Sequence, residues 1–361
     1  MKIGFVGSMG LPPKYGGFET CVDHITELLS PKHELYVFSV DPDGAKYKNN
    51  IFTPKIAFQT KIPAIDRILR ELLPLLFCII HKIRIIHVHG PLLTAPLWKL
   101  LRFKIIMSTD GIEWERLSYS RLTRIGTKLG YRIGTLFSDF VTYDSKVAYK
   151  EYVRIFGRNG PIVPYGPMRS CNIGHNHILP ANLKNNEYLL FVGRIVPEKG
   201  VYQLVSAFNK IENRGLKLVI LGNDVFDGSF INKLKSIASK SVIFLPARFD
   251  CSYETITKGA FAVVKPSIQE SEGLNPSLIE AMVWNGSIIA SEVAQNIEGL
   301  GKFGYKFDPN NEDNLVKILQ YCIDNPIEIG KKKSETQNWA KNNYRWDKSV
   351  LIIEDLYRQL F

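Results

Sequence analysis

Along most of this chain, short apolar runs alternate with segments whose apolar residues recur at helical spacing. Lys2–Gly7 is an apolar run closed by glycine, the pattern of a strand buried on both faces of a parallel sheet. Cys21, Ile25, Leu28 and Leu29 then predict a helix, and Glu34–Ser39 a second strand, with a third over 50–57. Ile65, Ile68, Leu69, Leu72, Leu73 and Leu76 mark an amphipathic helix whose end, from Leu72 to Ile80, is almost wholly apolar. Such a stretch is far short of the roughly 20 residues needed to span a bilayer. Strand-like runs follow at 83–89, 103–107, 140–143 and 161–163, with helix-compatible segments between them.

The polar segment from Met168 to Glu187 breaks this rhythm and reads as a linker. The alternation then restarts, with strands predicted at 188–192, 216–221, 242–245, 262–264 and 287–290. Helices are predicted at 201–211, 230–238, from Pro276, after Asp313, and over 346–361. Repeated β–α alternation implies parallel sheets covered on both faces. The expected architecture is α/β, with two Rossmann-like doubly wound domains facing across a cleft and a closing C-terminal helix packed back on the first domain. The expected divisions are residues 1–168, a linker 169–187, a second domain 188–340 and the closing helix 341–361. Ligands in such folds bind at the carboxyl ends of the strands.

Charge changes this picture in one place. The chain has 46 Lys and Arg against 35 Asp and Glu, a net charge of +11, which calls for an anionic partner or surface. Arg121, Arg124, Lys128 and Arg132 recur at helical spacing while Leu122, Ile125, Leu129 and Ile133 occupy another face. That is the pattern of a basic amphipathic helix able to lie on an anionic membrane, or of a solvated face over a core stripe. Gly126, Gly130 and Gly134 argue against a helix there. The five scattered cysteines show no paired spacing, which fits a reducing cytoplasm and excludes a structural zinc framework.

Three loops carry candidate chemistry. Gly4, Gly7 and Gly10 resemble a dinucleotide-binding spacing with Asp41 as its ribose acid, but Pro12 and Pro13 keep the third glycine from opening a helix. Gly16 and Gly17, just ahead of the first helix, suit a diphosphate better. In the second half, Arg194 and Lys199 lie in a loop (GRIVPEKG) between a strand and a helix, where two cations can neutralise charge on a departing diphosphate. In SEGLNPSLIEAM, Asn275 can cap a helix that begins at Pro276, Gly273 permits close approach, and Glu272 and Glu280 flank the helix start. A helix N-terminus of this kind suits a phosphate or a polar sugar. His87 and His89 alternate on one strand face without metal-ligand spacing.

GRIVPEKG together with SEGLNPSLIEAM resembles the retaining glycosyltransferases of family 4, which have the two-domain GT-B fold. KYGGFET at 14–20 and DGIEW at 110–114 resemble the rhamnosyltransferase-type members that build bacterial surface polysaccharides, and Trp346-Asp347 resembles the family's closing helix. The resemblance implies that Arg194 and Lys199 bind and stabilise the donor diphosphate and that Glu280 accepts bonds from the ribose hydroxyls. It implies that Glu272 contacts the transferred sugar, aided by the N–H groups of Gly273 and Leu274, with Gly16 and Gly17 approaching the phosphates from the opposite domain. Asp110 is the candidate for the acceptor hydroxyl or donor sugar. Rhamnosyltransferase-type relatives tend to read Gly-Thr where this chain reads Glu272-Gly273-Leu274, which leaves the sugar open.

The expected partners are therefore a nucleoside diphosphate sugar and a glycan or lipid-linked acceptor, with peripheral contact to an anionic membrane from the cytoplasmic side. No metal, other cofactor or nucleic acid is called for. The alternatives from other classes are a non-catalytic basic protein binding membrane or nucleic acid, and an NAD-binding oxidoreductase or epimerase.

Overall fold

The computed structural model describes residues 1–14, 16–56, 63–168, 179–224, 228–269 and 273–361, with side chains from residue 66 onward in the third stretch. Its first sheet is formed by β1 (Lys2–Val6), β2 (Glu34–Val37), β3 (Lys46–Lys48), β4 (Ile51–Phe52), β5 (Ile85–His89), β6 (Lys104–Ser108) and β7 (Phe140–Thr142). The order is β3-β4-β2-β1-β5-β6-β7, with β3–β4 antiparallel and the other pairs parallel. The second sheet holds β8 (Tyr188–Val192), β9 (Lys217–Leu221), β10 (Val242–Leu245), β11 (Ala262–Lys265), β12 (Ile288–Ser291) and β13 (Tyr305–Phe307). It is parallel throughout, in the order β10-β9-β8-β11-β12-β13. The run expected as a strand at 161–163 makes a single bridge, Ile162 to Tyr143.

Around the first sheet lie α1 (Gly17–Leu29), α2 (Pro63–Ile80), α3 (Ala95–Leu100), α4 (Arg121–Phe137) and α5 (Lys146–Phe156). Around the second lie α6 (Val201–Lys210), α7 (Ser229–Ile237), α8 (Cys251–Gly259), α9 (Pro276–Trp284), α10 (Ala294–Leu300), α11 (Glu312–Asp324), α12 (Pro326–Lys331) and α13 (Lys333–Asn343). Each sheet has an apolar cluster on either face, because its strands are hydrophobic on both sides.

The last helix, α14 (Trp346–Gln359), returns to the first sheet and packs on α1. Trp346 anchors it: the ring stacks on His24 at 5.2 Å between centroids, and its Nε1 donates to the Pro167 carbonyl at 2.8 Å. Gly166 makes room for this, since a Cβ there would lie 2.6 Å from Trp346 Cδ1.

Helix α4 inverts the expected arrangement of its glycines. They do not break the helix, and Gly130 and Gly134 lie on its buried face. A Cβ on Gly130 would meet Pro91 Cβ at 2.9 Å, and one on Gly134 would meet Met107 Sδ at 2.8 Å. Small residues therefore allow the helix backbone to sit directly on the domain; Tyr131, Ile133 and Phe137 pack inward, and the other large apolar residues point outward. Leu122, Ile125 and Leu136 are 82%, 66% and 71% exposed. At 100° per residue, Leu122, Ile125, Leu129 and Leu136 form one stripe, with Arg121, Arg124, Lys128 and Arg132 along its flank. Among the described residues no helix is long and apolar enough to cross a membrane.

One cysteine departs from the sequence reading. Cys21, Cys78 and Cys322 are buried free thiols, but Cys251 is disulfide-bonded, so cysteine usage does not argue for a reducing compartment.

Replacing Trp346 with Ala should cost about 3–5 kcal/mol, the usual range for a large core aromatic. A urea titration should show a lower midpoint, and an unchanged one would mean that α14 is not anchored as described.

Candidate active site

In both sheets the candidate residues gather at the carboxyl edge, where the strand order reverses and the loops diverge. In the second sheet the reversal falls between β8 and β11. The loop after β8 carries Arg194, then a turn of 3-10 helix over Pro197–Lys199. Gly200, at φ 68°, ends that turn where a Cβ would stand 1.8 Å from the Pro266 carbonyl oxygen. The Ile268 N–H donates to the Glu198 carbonyl at 3.0 Å. These two contacts bring the Arg194–Lys199 loop against the segment leading into α9, and Lys199 is buried there.

Helix α9 starts as its sequence predicts. Asn275 is its N-cap and accepts from the Ser277 N–H at 3.1 Å, with Pro276 at the first position. Its N-terminus faces the N-terminus of α1 across the cleft: a Cβ on Gly17 would lie 3.1 Å from Pro276 Cγ. Gly16 is the N-cap of α1. Two positive helix ends therefore meet, and acids surround the meeting point. Glu19 accepts from the Met9 N–H at 3.0 Å; burial pushes its carboxyl upward, partly offset by that bond. Asp110, just beyond β6, accepts from Arg116 Nη2 and from the Tyr165 hydroxyl, each at 3.4 Å.

Asp144, just beyond β7, accepts from the Leu274 N–H at 2.8 Å and so crosses the cleft. Gly273 lies so close that a Cβ would sit 1.6 Å from Asp144 Oδ2. Burial, then the neighbouring Asp110, raises the Asp144 carboxyl well above its ordinary value. Of the sequence candidates, Gly17, Gly273 and Leu274 are thus brought to one junction, with Gly16 beside it and Asp110 at its rim. Glu272 lies outside the described residues.

Glu280 is placed differently from a residue open to the cleft. It is buried, with Oε2 accepting from the Tyr253 hydroxyl at 2.6 Å and Oε1 from the Met168 N–H at 3.3 Å. Burial pushes its carboxyl up to about 7, against the opposing effects of Tyr253, Met168 and Lys265.

Four further residues take part. Lys265, buried at the end of β11, spans the strand reversal by donating to the Val192 carbonyl at 2.8 Å and Ser277 Oγ at 2.5 Å. Asp144 belongs to the Tyr-Asp-Ser run after β7, and Glu198 accepts from Ser118 across the cleft at 2.7 Å. Glu298 of α10 accepts from the N–H groups of Lys146 and Val147, at 2.7 and 3.0 Å, where α5 begins. A lone acid in an apolar or polar run gives no signal until its partner across the cleft is known.

Of the two histidines, His87 is tied into the sheet, while neither ring nitrogen of buried His89 has a hydrogen-bond partner among the described residues. His87 bridges the Tyr357 hydroxyl and Ser108 Oγ at 2.6 and 2.7 Å. Burial depresses both rings, His89 to about 3. Among the described residues no group of three or more His, Cys, Asp or Glu could hold a metal ion. The glycine loop after β1 does not open a helix either. Gly7 packs against the His89 carbonyl and Gly10 against Ser39, while Asp41 is paired with Lys14 at 2.9 Å. The dinucleotide-binding alternative is not favoured.

Comparison with known proteins agrees with this geometry. Residues 178–346, which hold the whole second sheet, match the family model for glycosyl transferases group 1. An uncharacterized glycosyltransferase of Methanocaldococcus jannaschii is 25% identical over 380 residues, covering 96% of both chains. Sucrose-phosphate synthase from Thermosynechococcus elongatus superposes with a TM-score of 0.80 at 20% identity, covering 100% of this chain and 99% of that one. The Anabaena protein HepE in complex with UDP-glucose gives 0.76 at 16% identity, covering 99% and 100%. The fold is the two-domain GT-B arrangement. Over residues 178–346 the chain is thus similar to glycosyl transferases group 1.

The raised carboxyl of Glu280 has a measurable consequence. A group that holds its proton more tightly when folded favours folding below its unfolded value of 4.5, and that contribution is lost as pH rises from there through about 7. Glu280→Gln removes this dependence. The melting temperature of the variant relative to the parent should rise between pH 4.5 and pH 8, by at least about 2 °C given roughly 2–4 °C per kcal/mol. A pH-independent difference would contradict the assignment.

Proposed function

We propose that this protein is a retaining glycosyltransferase that moves a hexose or rhamnose from a nucleoside diphosphate sugar to a polysaccharide precursor carried on a lipid. The observation that carries the reading is the packing of the Arg194–Lys199 loop against the segment entering α9, through Gly200 and Ile268. Two cations on a loop held against the segment that enters a helix would supply the electrostatic arrangement that stabilises a departing diphosphate. The UDP-glucose carried by the Anabaena neighbour supports a donor of that class.

In this reading Arg194 and Lys199 neutralise the diphosphate as the bond to the sugar breaks. The N–H groups of Gly273 and Leu274 hold the sugar or phosphate oxygens, and Glu272 contacts the sugar. Glu280 accepts bonds from the ribose hydroxyls once the Met168 N–H yields one oxygen. Gly16 and Gly17 leave α1 bare enough to approach the phosphates, and Asp110 receives the acceptor hydroxyl. Closing the cleft excludes water, which favours transfer over hydrolysis. Cations take the part that a divalent metal plays in other transferases, so none is needed.

The outward stripe of α4 supports peripheral attachment to an anionic bilayer, where a lipid-linked acceptor would be met. Exposed leucines and isoleucines flanked by arginines suit the interface between headgroups and acyl chains. Helix α3, which packs against α4, adds exposed Leu97 and Leu100.

Lys199→Ala should lower kcat/KM for release of nucleoside diphosphate from the donor by about 10²–10³-fold while leaving the melting profile intact; full activity would remove Lys199 from the site. For the membrane, replacing Leu122, Ile125 and Leu129 together with Ser should reduce co-sedimentation with phosphatidylglycerol-containing vesicles about tenfold or more. Equal sedimentation of parent and variant would show that α4 does not carry attachment.

A further inference from the structure

The two halves of the molecule are joined by acids that cross in opposite directions. Asp144 of the first half accepts from the Leu274 N–H, just ahead of α9. Glu298 of the second half accepts from the Lys146 and Val147 N–H groups, which open α5. Each acid thus satisfies backbone donors of the opposite half that would otherwise be orphaned at a helix start. The Asp144 contact is the tighter fit. Its carboxyl is 3% exposed, its Oδ1 accepts from Ser145 Oγ at 3.1 Å, and Gly273 has no space for a side chain beside it.

We propose that Asp144 is a positioning residue that competes with the donor: in the donor-free form it occupies the Leu274 N–H, and the donor takes that N–H over. The inference rests on the proposed function, in which the Gly273 and Leu274 N–H groups serve the donor. The Leu274 N–H is one donor, Asp144 holds it at 2.8 Å, and a Cβ on Gly273 would overlap the same carboxylate oxygen. A phosphate or hydroxyl oxygen bound to that N–H takes the place of the Asp144 carboxylate. The contact crosses between the halves, since Asp144 follows β7, which pairs with β6 of the first sheet, whereas Leu274 precedes α9. The contact therefore lowers apparent donor affinity by the fraction of molecules in which Asp144 holds the Leu274 N–H.

Glu298 gives the internal comparison, since it crosses the same cleft to the Lys146 and Val147 N–H groups rather than to Leu274. The experiment measures nucleoside diphosphate binding (UDP, GDP, ADP and dTDP, by calorimetry) and the donor-free radius of gyration by small-angle scattering. It compares the parent, Asp144→Ala, Asp144→Asn and Glu298→Ala. Asp144→Ala should bind the preferred nucleoside diphosphate at least about threefold more tightly and have a larger donor-free radius. Asp144→Asn, which keeps an acceptor oxygen, should stay near the parent. Glu298→Ala should enlarge the radius without tightening binding. If the alanine variant does not fold, Asp144→Ser, too short to reach, serves in its place.

Unchanged or weaker binding in Asp144→Ala overturns the proposal, as does equal tightening in Glu298→Ala, which would make opening alone the cause. If no nucleoside diphosphate binds the parent, the proposed function itself fails. The scattering comparison still reports, separately, whether Asp144 holds the cleft shut.

Discussion

The arrangement depends on two helix N-termini being brought face to face. Helices α1 and α9 belong to different halves of the chain, yet Gly17 and Pro276 touch across the cleft. Each end carries unpaired N–H groups and the positive end of a helix dipole, so their approach is unfavourable unless acceptors surround it. The first half supplies Glu19, Asp110 and Asp144 around this point, and the absence of side chains at Gly17 and Gly273 lets the backbones come close enough to share them. Replacing any of these acids by an anionic ligand is electrostatically natural. A transferase that must hold a diphosphate sugar between two domains needs the same convergence.

The remaining elements serve that convergence. Parallel sheets put every β-to-α loop on one edge, and the reversals of strand order leave crevices there for Gly7 and His89 on one side and Arg194 and Lys265 on the other. Helix α14, anchored by Trp346 on His24 and Pro167, carries the end of the chain from the second half back to the first. Together with the Met168–Glu280 bond it ties the two halves at their joint. Glu280, raised by burial to about 7, sits at that joint rather than in the open cleft.

Much of this was legible in the sequence, for physical reasons. Strands buried on both faces appear as continuous apolar runs, so β1, β8, β9 and β11 could be located from composition alone. The cap of α9 was readable because Asn-Pro opens a helix by local chemistry. Other features depended on partners distant in the chain. Helix α4 was doubtful because glycine is a poor helix former in isolation, and only Met107 and Pro91 explain why glycine is needed. Glu298 and Lys265 gave no signal, since each is defined by an N–H or carbonyl on another element. The disulfide at Cys251 was missed because spacing along the chain carries no record of proximity in space.

The central claim is that the cleft between the halves receives a nucleoside diphosphate sugar. Thermal denaturation of the full chain with UDP, GDP, ADP, dTDP, their sugars and NAD tests it most directly, because a ligand that binds only the folded form raises the melting temperature by mass action. One nucleoside diphosphate and its sugar should raise the melting temperature of the parent protein, and the rise should vanish in Lys199→Ala. No shift with any of them, or a shift with NAD alone, would contradict the account.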